Sequence, residues 1–205
     1  MMPGHTHDPG ARPAGHAHVH PFDLAGWMHE HSPGLAERWA QGLAASGETW
    51  NDSSESMLRP FCRALVSFLP GMISPGRTDF LPLWSECAEL FGSVAARRGL
   101  SAGEVIEEFQ LLREVILRMV FEVSAPDALR GVPLREVLLL NRAIDIGVTQ
   151  SSIGHTDLLF FSLLHGSGAP EPLGPEELSE VLDQIGQLRD EGRRTMQHML
   201  QAGAR

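Results

Sequence analysis

One segment restricts the fold of this chain more than any other. Ser101-Ala102-Gly103-Glu104 has the spacing of a capping box, in which each end residue accepts a hydrogen bond from the other's backbone N–H. It leads straight into Val105, Phe109, Leu112, Ile116, Met119 and Val123, at steps of four and three. Ile106, Leu117 and Phe121 line a neighbouring face, so the apolar coverage is wider than one core-facing stripe requires. This predicts a central helix packed from two sides. The rest of the chain must therefore supply further helices to cover it.

The same periodicity runs through the chain from Phe22. A short segment is predicted from Asp23 to about His31, after which Ser32-Pro33 reads as an N-cap followed by proline in the first helical position. That next helix carries Leu35, Trp39 and Leu43 to about Ala45. Another starts near Ser53 or Ser54 and carries Met57, Leu58, Phe61, Leu65 and Phe68 to Pro70-Gly71, with Pro60 either in its first turns or at a kink. Residues 79–98 form a helix ended by Gly99, and Arg97 and Arg98 in its last turn suit the negative end of the dipole. Pro133 opens a segment through Leu134, Leu138, Ile144 and Val148 to Leu164, which is one long helix with a polar waist or two helices broken near Gly154. A linker over 166–174 precedes an amphipathic helix over 175–202. No strand pattern competes. The expectation is an all-α fold of six to eight helices, with a bundle over 22–165 and this exit helix among them.

Residues 1–21 are rich in His, Gly and Pro and almost without bulky apolar side chains, which predicts a disordered tail. Composition also removes reaction classes. All 16 basic residues are arginine, so mechanisms that need a lysine amine, from the phosphate-loop lysine to Schiff bases, are excluded, and the absence of tyrosine removes phenol acid-base chemistry. A formal charge of −10 argues against nucleic acid and anionic lipid as partners. Cys62 and Cys87 fit no C-x-x-C spacing and read as buried reduced thiols. With no apolar run of membrane-spanning length and no signal-peptide pattern, a cytoplasmic protein is expected, and with no Ser-His-Asp order, Gly-rich phosphate loop or activated thiol in the sequence, one that is not an enzyme.

Glu37-Arg38-Trp39, then Ala96-Arg97-Arg98-Gly99-Leu100-Ser101 joined to the run Glu104 to Leu117, and later Leu140-Asn141-Arg142-Ala143-Ile144-Asp145, resemble the N-terminal domain of the RsbRD co-antagonist family over about residues 32 to 155. Such domains stand at the front of bacterial stress regulators and many sensor histidine kinases. The resemblance implies a globin-like helical sensory or interaction module, dimeric and without haem, acting on a partner histidine kinase or stress regulator. The roughly 40 residues after Leu164 are too few for a kinase ATP-binding domain or a STAS domain, whose cores need on the order of 100 residues. The expectation is that the signal leaves through a partner.

Several residues are candidates for chemistry or contact. Glu107, Glu108, Arg113 and Glu114 on the central helix read as a solvated face or dimer surface, with Glu114 and Arg118 spaced to pair. Leu178, Ile185 and Leu188 follow a heptad seam, interrupted at Gly192 and Thr195, that serves either a dimer contact or docking on the core. Gln150, Ser151, His155, Thr156 and Asp157 form the polar waist, which is either a ligand pocket or an exposed helix break. His5, His7, His16, His18, His20, His29 and His31 have the donor chemistry for Zn, Ni or Cu, giving an alternative reading as a metal-handling protein. His155 and His165 are the axial candidates in a weaker reading as a haem sensor.

Overall fold

The computed structural model describes residues 22–46, 52–123, 132–166 and 168–203. Every regular element among them is an α-helix: α1 (Leu24–Ser46), α2 (Asp52–Met72), α3 (Arg77–Arg97), α4 (Ala102–Val123), α5 (Leu134–Leu164) and α6 (Pro175–Gly203). The expected disordered tail at 1–21 lies outside the described residues. α3 and α5 make the most extensive pairing, α1 packs on α2 and α4, α4 also lies on α5, and α6 covers α2 and α3.

The core is built around five aromatic rings from four helices. Phe91 of α3 meets Phe61 of α2 at 5.4 Å between ring centroids, Phe109 of α4 at 5.6 Å and Trp39 of α1 at 5.9 Å, while Trp84 sits edge-on to Phe109 at 6.3 Å. The Phe61–Phe91, Phe91–Phe109 and Trp84–Phe109 pairs have the edge-to-face geometry that aromatic quadrupoles favour, while Trp39 is tilted at 33° to Phe91. The Trp39 indole N–H donates to the Glu108 carbonyl at 2.9 Å, which ties α1 to α4 where no water reaches.

The helix break expected at Ser32-Pro33 is absent, and of the two readings of the Pro133–Leu164 segment the continuous one holds. α1 runs unbroken through Pro33, because Leu24, Met28, Leu35, Trp39 and Leu43 are all buried in one helical register. Burying that stripe outweighs the roughly 3 kcal/mol that an interior proline costs. The Ser32 hydroxyl donates to the Met28 carbonyl at 2.6 Å, and His31 Nδ1 donates to the Trp27 carbonyl at 2.8 Å, adding bonds next to the one that Pro33 cannot make. α2 likewise contains Pro60 and Pro70 within its span.

α5 is also continuous, and Gly154 serves close packing instead of a break. A Cβ at Gly154 would lie 2.1 Å from the Glu89 carbonyl oxygen of α3, and one at Gly92 of α3 would lie 1.8 Å from the Ser151 carbonyl oxygen. The two backbones therefore touch directly. About two turns before Gly154, Gly147 makes room for the Trp84 and Phe109 rings.

The α3–α4 corner follows the sequence closely. Gly99 takes φ of +80°, its N–H donates to the Ala96 carbonyl and the Leu100 N–H to the Ala95 carbonyl, the Schellman arrangement. Leu100 packs with Ala95 and Val105 in a small second apolar cluster. Ser101 and Glu104 then form the capping box, with Ser101 N–H to Glu104 Oε2 at 2.7 Å and Glu104 N–H to Ser101 Oγ at 3.3 Å. The seam of α6 turns inward: Ile185 and Leu188 are buried, Leu178 is half-buried against the same core, and Gly192 sits where a Cβ would be 2.5 Å from the Phe68 ring.

Candidate functional site

Glu108 does not belong to a solvated face. It is buried, and its carboxylate accepts from the Arg98 guanidinium at 3.1 Å, with the two side chains 10% and 4% exposed. The reason is local: the Schellman turn brings the C-cap residue Arg98 back over the second turn of α4. Burial pulls the Arg98 guanidinium down, and the adjacent Glu108 carboxylate opposes that shift. Its neighbour Glu107 is exposed, as expected for residues about 100° apart on a helix.

His155 reaches the same corner from α5. Its Nε2 lies 2.7 Å from the Leu100 carbonyl oxygen, an acceptor only, so this nitrogen carries the proton. The opposite nitrogen, Nδ1, is buried without a partner. The polar waist does not converge on one cavity. Ser151 and His155 are buried towards α3 and the corner, Gln150 is half-buried, and Thr156 and Asp157 are exposed. The hydroxyls of Ser151 and Ser152 donate to Val148, and that of Thr156 to Ser152. Small side chains at this point allow α3 and α5 to touch. Ser93 of α3 adds a bond across the crossing to the Gly154 carbonyl at 3.2 Å.

The outward surface of α4 and α5 has a different character. Among the described residues every large apolar side chain that is exposed lies on these two helices: Ile106 and Phe121 on α4, and Leu134, Leu138, Ile153, Phe160, Phe161, Leu163 and Leu164 on α5. At about 100° per residue, all of the α5 set except Phe161 fall within an arc of roughly 120°. Arg113 of α4 pairs with Asp145 of α5, and Glu114 pairs with Arg118 along α4, so two of the four acidic and basic interaction candidates, Arg113 and Glu114, line this surface. Beside them lies an open groove of about 590 Å³ lined by Gln110, Arg113, Glu114, Leu117, Arg118, Phe121 and Glu122. The run Leu158 to Leu164 was a sequence signal for this face, since its apolar side chains exceed what one buried stripe can take up.

The remaining candidates are placed as follows. Ile185 and Leu188 are buried in this chain's own core, so of the two readings of the seam it is docking on the core that these residues serve. His5, His7, His16, His18 and His20 lie outside the described residues. His29 is exposed, while His31 stacks on Trp27 at 4.4 Å. Among the described residues no three His, Cys, Asp or Glu side chains converge in a way that could hold a metal ion. His165 is exposed at the C-terminus of α5, with Nδ1 to the Phe161 carbonyl at 2.8 Å. Cys62 and Cys87 are free and buried, and desolvation pushes both thiols upward, away from thiolate reactivity. No described helix is long and apolar enough to cross a membrane.

No curated protein and no solved structure matches the chain. The family model of the RsbT co-antagonist protein rsbRD N-terminal domain matches residues 33–157, a span that runs from Pro33 in α1 through the Arg98–Glu108 corner to the α3–α5 glycine crossing. With more than half of its length in that match, the chain belongs to the RsbRD N-terminal domain family, a family of regulatory signalling domains.

Proposed function

We propose that the chain is a non-catalytic input module of bacterial signal transduction, which pairs with a second copy of itself through the α4–α5 face and passes its state to a partner histidine kinase or stress regulator. The observation that carries this reading is the concentration of exposed Leu, Ile and Phe side chains on those two helices. Monomeric soluble proteins seldom gather so many large apolar side chains on one side of the molecule in water, and surfaces of this kind mark protein contacts. The charged side chains beside it, Arg113, Asp145, Glu114 and Arg118, are already paired within the chain. On α5 the Arg113–Asp145 pair lies between the apolar group at Leu134 and Leu138 and the one from Ile153 to Leu164, its charges already compensated.

Sedimentation equilibrium of the full chain tests this reading. The expected result is a dimer whose dissociation constant rises at least tenfold in Leu138→Glu and in Phe160→Glu, with helicity unchanged because both positions are exposed. Gln184→Glu on α6 should leave it unaltered. A monomer at tens of micromolar that captures no kinase or regulator from native lysate would overturn the proposal.

A further inference from the structure

We propose that the cleft between α1, α2 and α6 binds the phosphate group of a small phosphorylated molecule. Arg63 of α2 and Arg189 and Arg193 of α6 line one cavity of about 370 Å³ together with Ser32, Pro33 and Ser67. In a chain of net charge −10 this is a local excess of positive charge. Asp190 is the carboxylate that neutralises part of it, accepting from Arg193 at 3.1 Å. Glu37 feels Arg63 only weakly and is held by Arg59. Among the described residues Arg63 and Arg189 form no ion pair. Three guanidiniums against one carboxylate leave a surplus of two charges, the complement of a phosphate monoester dianion.

The packing shows that the crowding is built in. Gly192 lies between Arg189 and Arg193 on α6 and fits against the Phe68 ring, so α6 approaches α2 closely enough to bring like charges together. Burial draws the Arg189 guanidinium down, and Arg193 and then Arg63 add to that shift by repulsion. A planar guanidinium offers paired donors that match phosphate oxygens, which makes arginine the side chain suited to this ligand. The Ser32 and Ser67 hydroxyls donate to carbonyls one turn back, at 2.6 and 2.7 Å, so the arginines carry the recognition. The cavity exceeds the size of the anion alone and leaves room for a small organic body. A bound phosphate would bridge α2 to α6 and so tighten the docking of the exit helix.

Calorimetric titration of the full chain with glucose 6-phosphate and, separately, with inorganic phosphate, at ionic strength held constant with chloride, tests the site. One saturable site is expected, at least tenfold weaker in Arg63→Gln, a change at an exposed side chain that leaves the fold intact, and unchanged in Arg118→Gln. Tighter binding of the ester would identify an organic phosphate as the occupant, and equal binding would place all recognition in the phosphate group. Absence of saturable binding by both probes, or equal affinity in wild type and Arg63→Gln, would overturn the proposal. The melting temperature gives a second readout, rising with the probe in wild type and not in Arg63→Gln.

Discussion

Glu108→Gln removes the negative charge beside a guanidinium that is almost fully buried. Breaking such a pair from one side leaves a charge in low dielectric, and a loss of about 3 kcal/mol is expected in urea unfolding. The double change Arg98→Met with Glu108→Leu should recover most of it, because neither charge then remains to be desolvated. Gly92→Ala fails for another reason, since its new methyl would meet the Ser151 carbonyl at 1.8 Å, a backbone atom that no rotamer change can move. Overpacking of this sort costs about 1–3 kcal/mol, measurable by the same unfolding experiment. Both residues sat in plain view in the sequence, yet a Glu next to another Glu and a Gly inside a helix look ordinary. What fixes their roles is a partner 10 residues away across a turn, or on a helix some 60 residues away.

α4 was the most legible of the helices, because its start signal and its apolar steps lie within one contiguous stretch and depend on nothing distant. The carboxylate of Glu104 is held below the ordinary range by the Ser101 backbone N–H and then its hydroxyl, and that of Glu177 at the start of α6 by the Gly174 N–H and then Arg97. With folded values depressed, these caps stabilise fully above the unfolded value of about 4.3 and lose that contribution as pH falls through the lower folded values. Melting temperature should therefore drop on acidification below about pH 4.5, and less steeply in Glu104→Gln. Ser101→Ala is expected to cost about 1 kcal/mol at neutral pH. α1 and α5 were less legible. Pro33 and Gly154 are local punctuation, and what overrides them is burial against α2 and α3, which no window of α1 or α5 contains.

Across the whole molecule, α6 is part of the fold although it lies beyond the matched family span. Ile185 and Leu188 contribute about 1.5–3 kcal/mol each by burial. Deleting residues 169–205 should thus lower stability by several kcal/mol, a large share of the 5–15 kcal/mol typical of a domain, and raise binding of a hydrophobic dye. The heptad seam disclosed that this helix would pack, and Gly192 marked where its register fails, but only the Phe68 ring explains why. The crossing of α3 and α5 has a mechanical consequence. Where backbones touch there are no rotamers to absorb a small slide, so α5 can tilt about its contact with α3 but cannot creep along it. It is a stiff lever of roughly 46 Å, 31 residues at 1.5 Å each, with its fulcrum between Gly147 and Gly154. A displacement at the Leu134 end would arrive at the Phe160 end reversed in direction and cut to roughly six-tenths, the ratio of arms of about 14 and 25 Å.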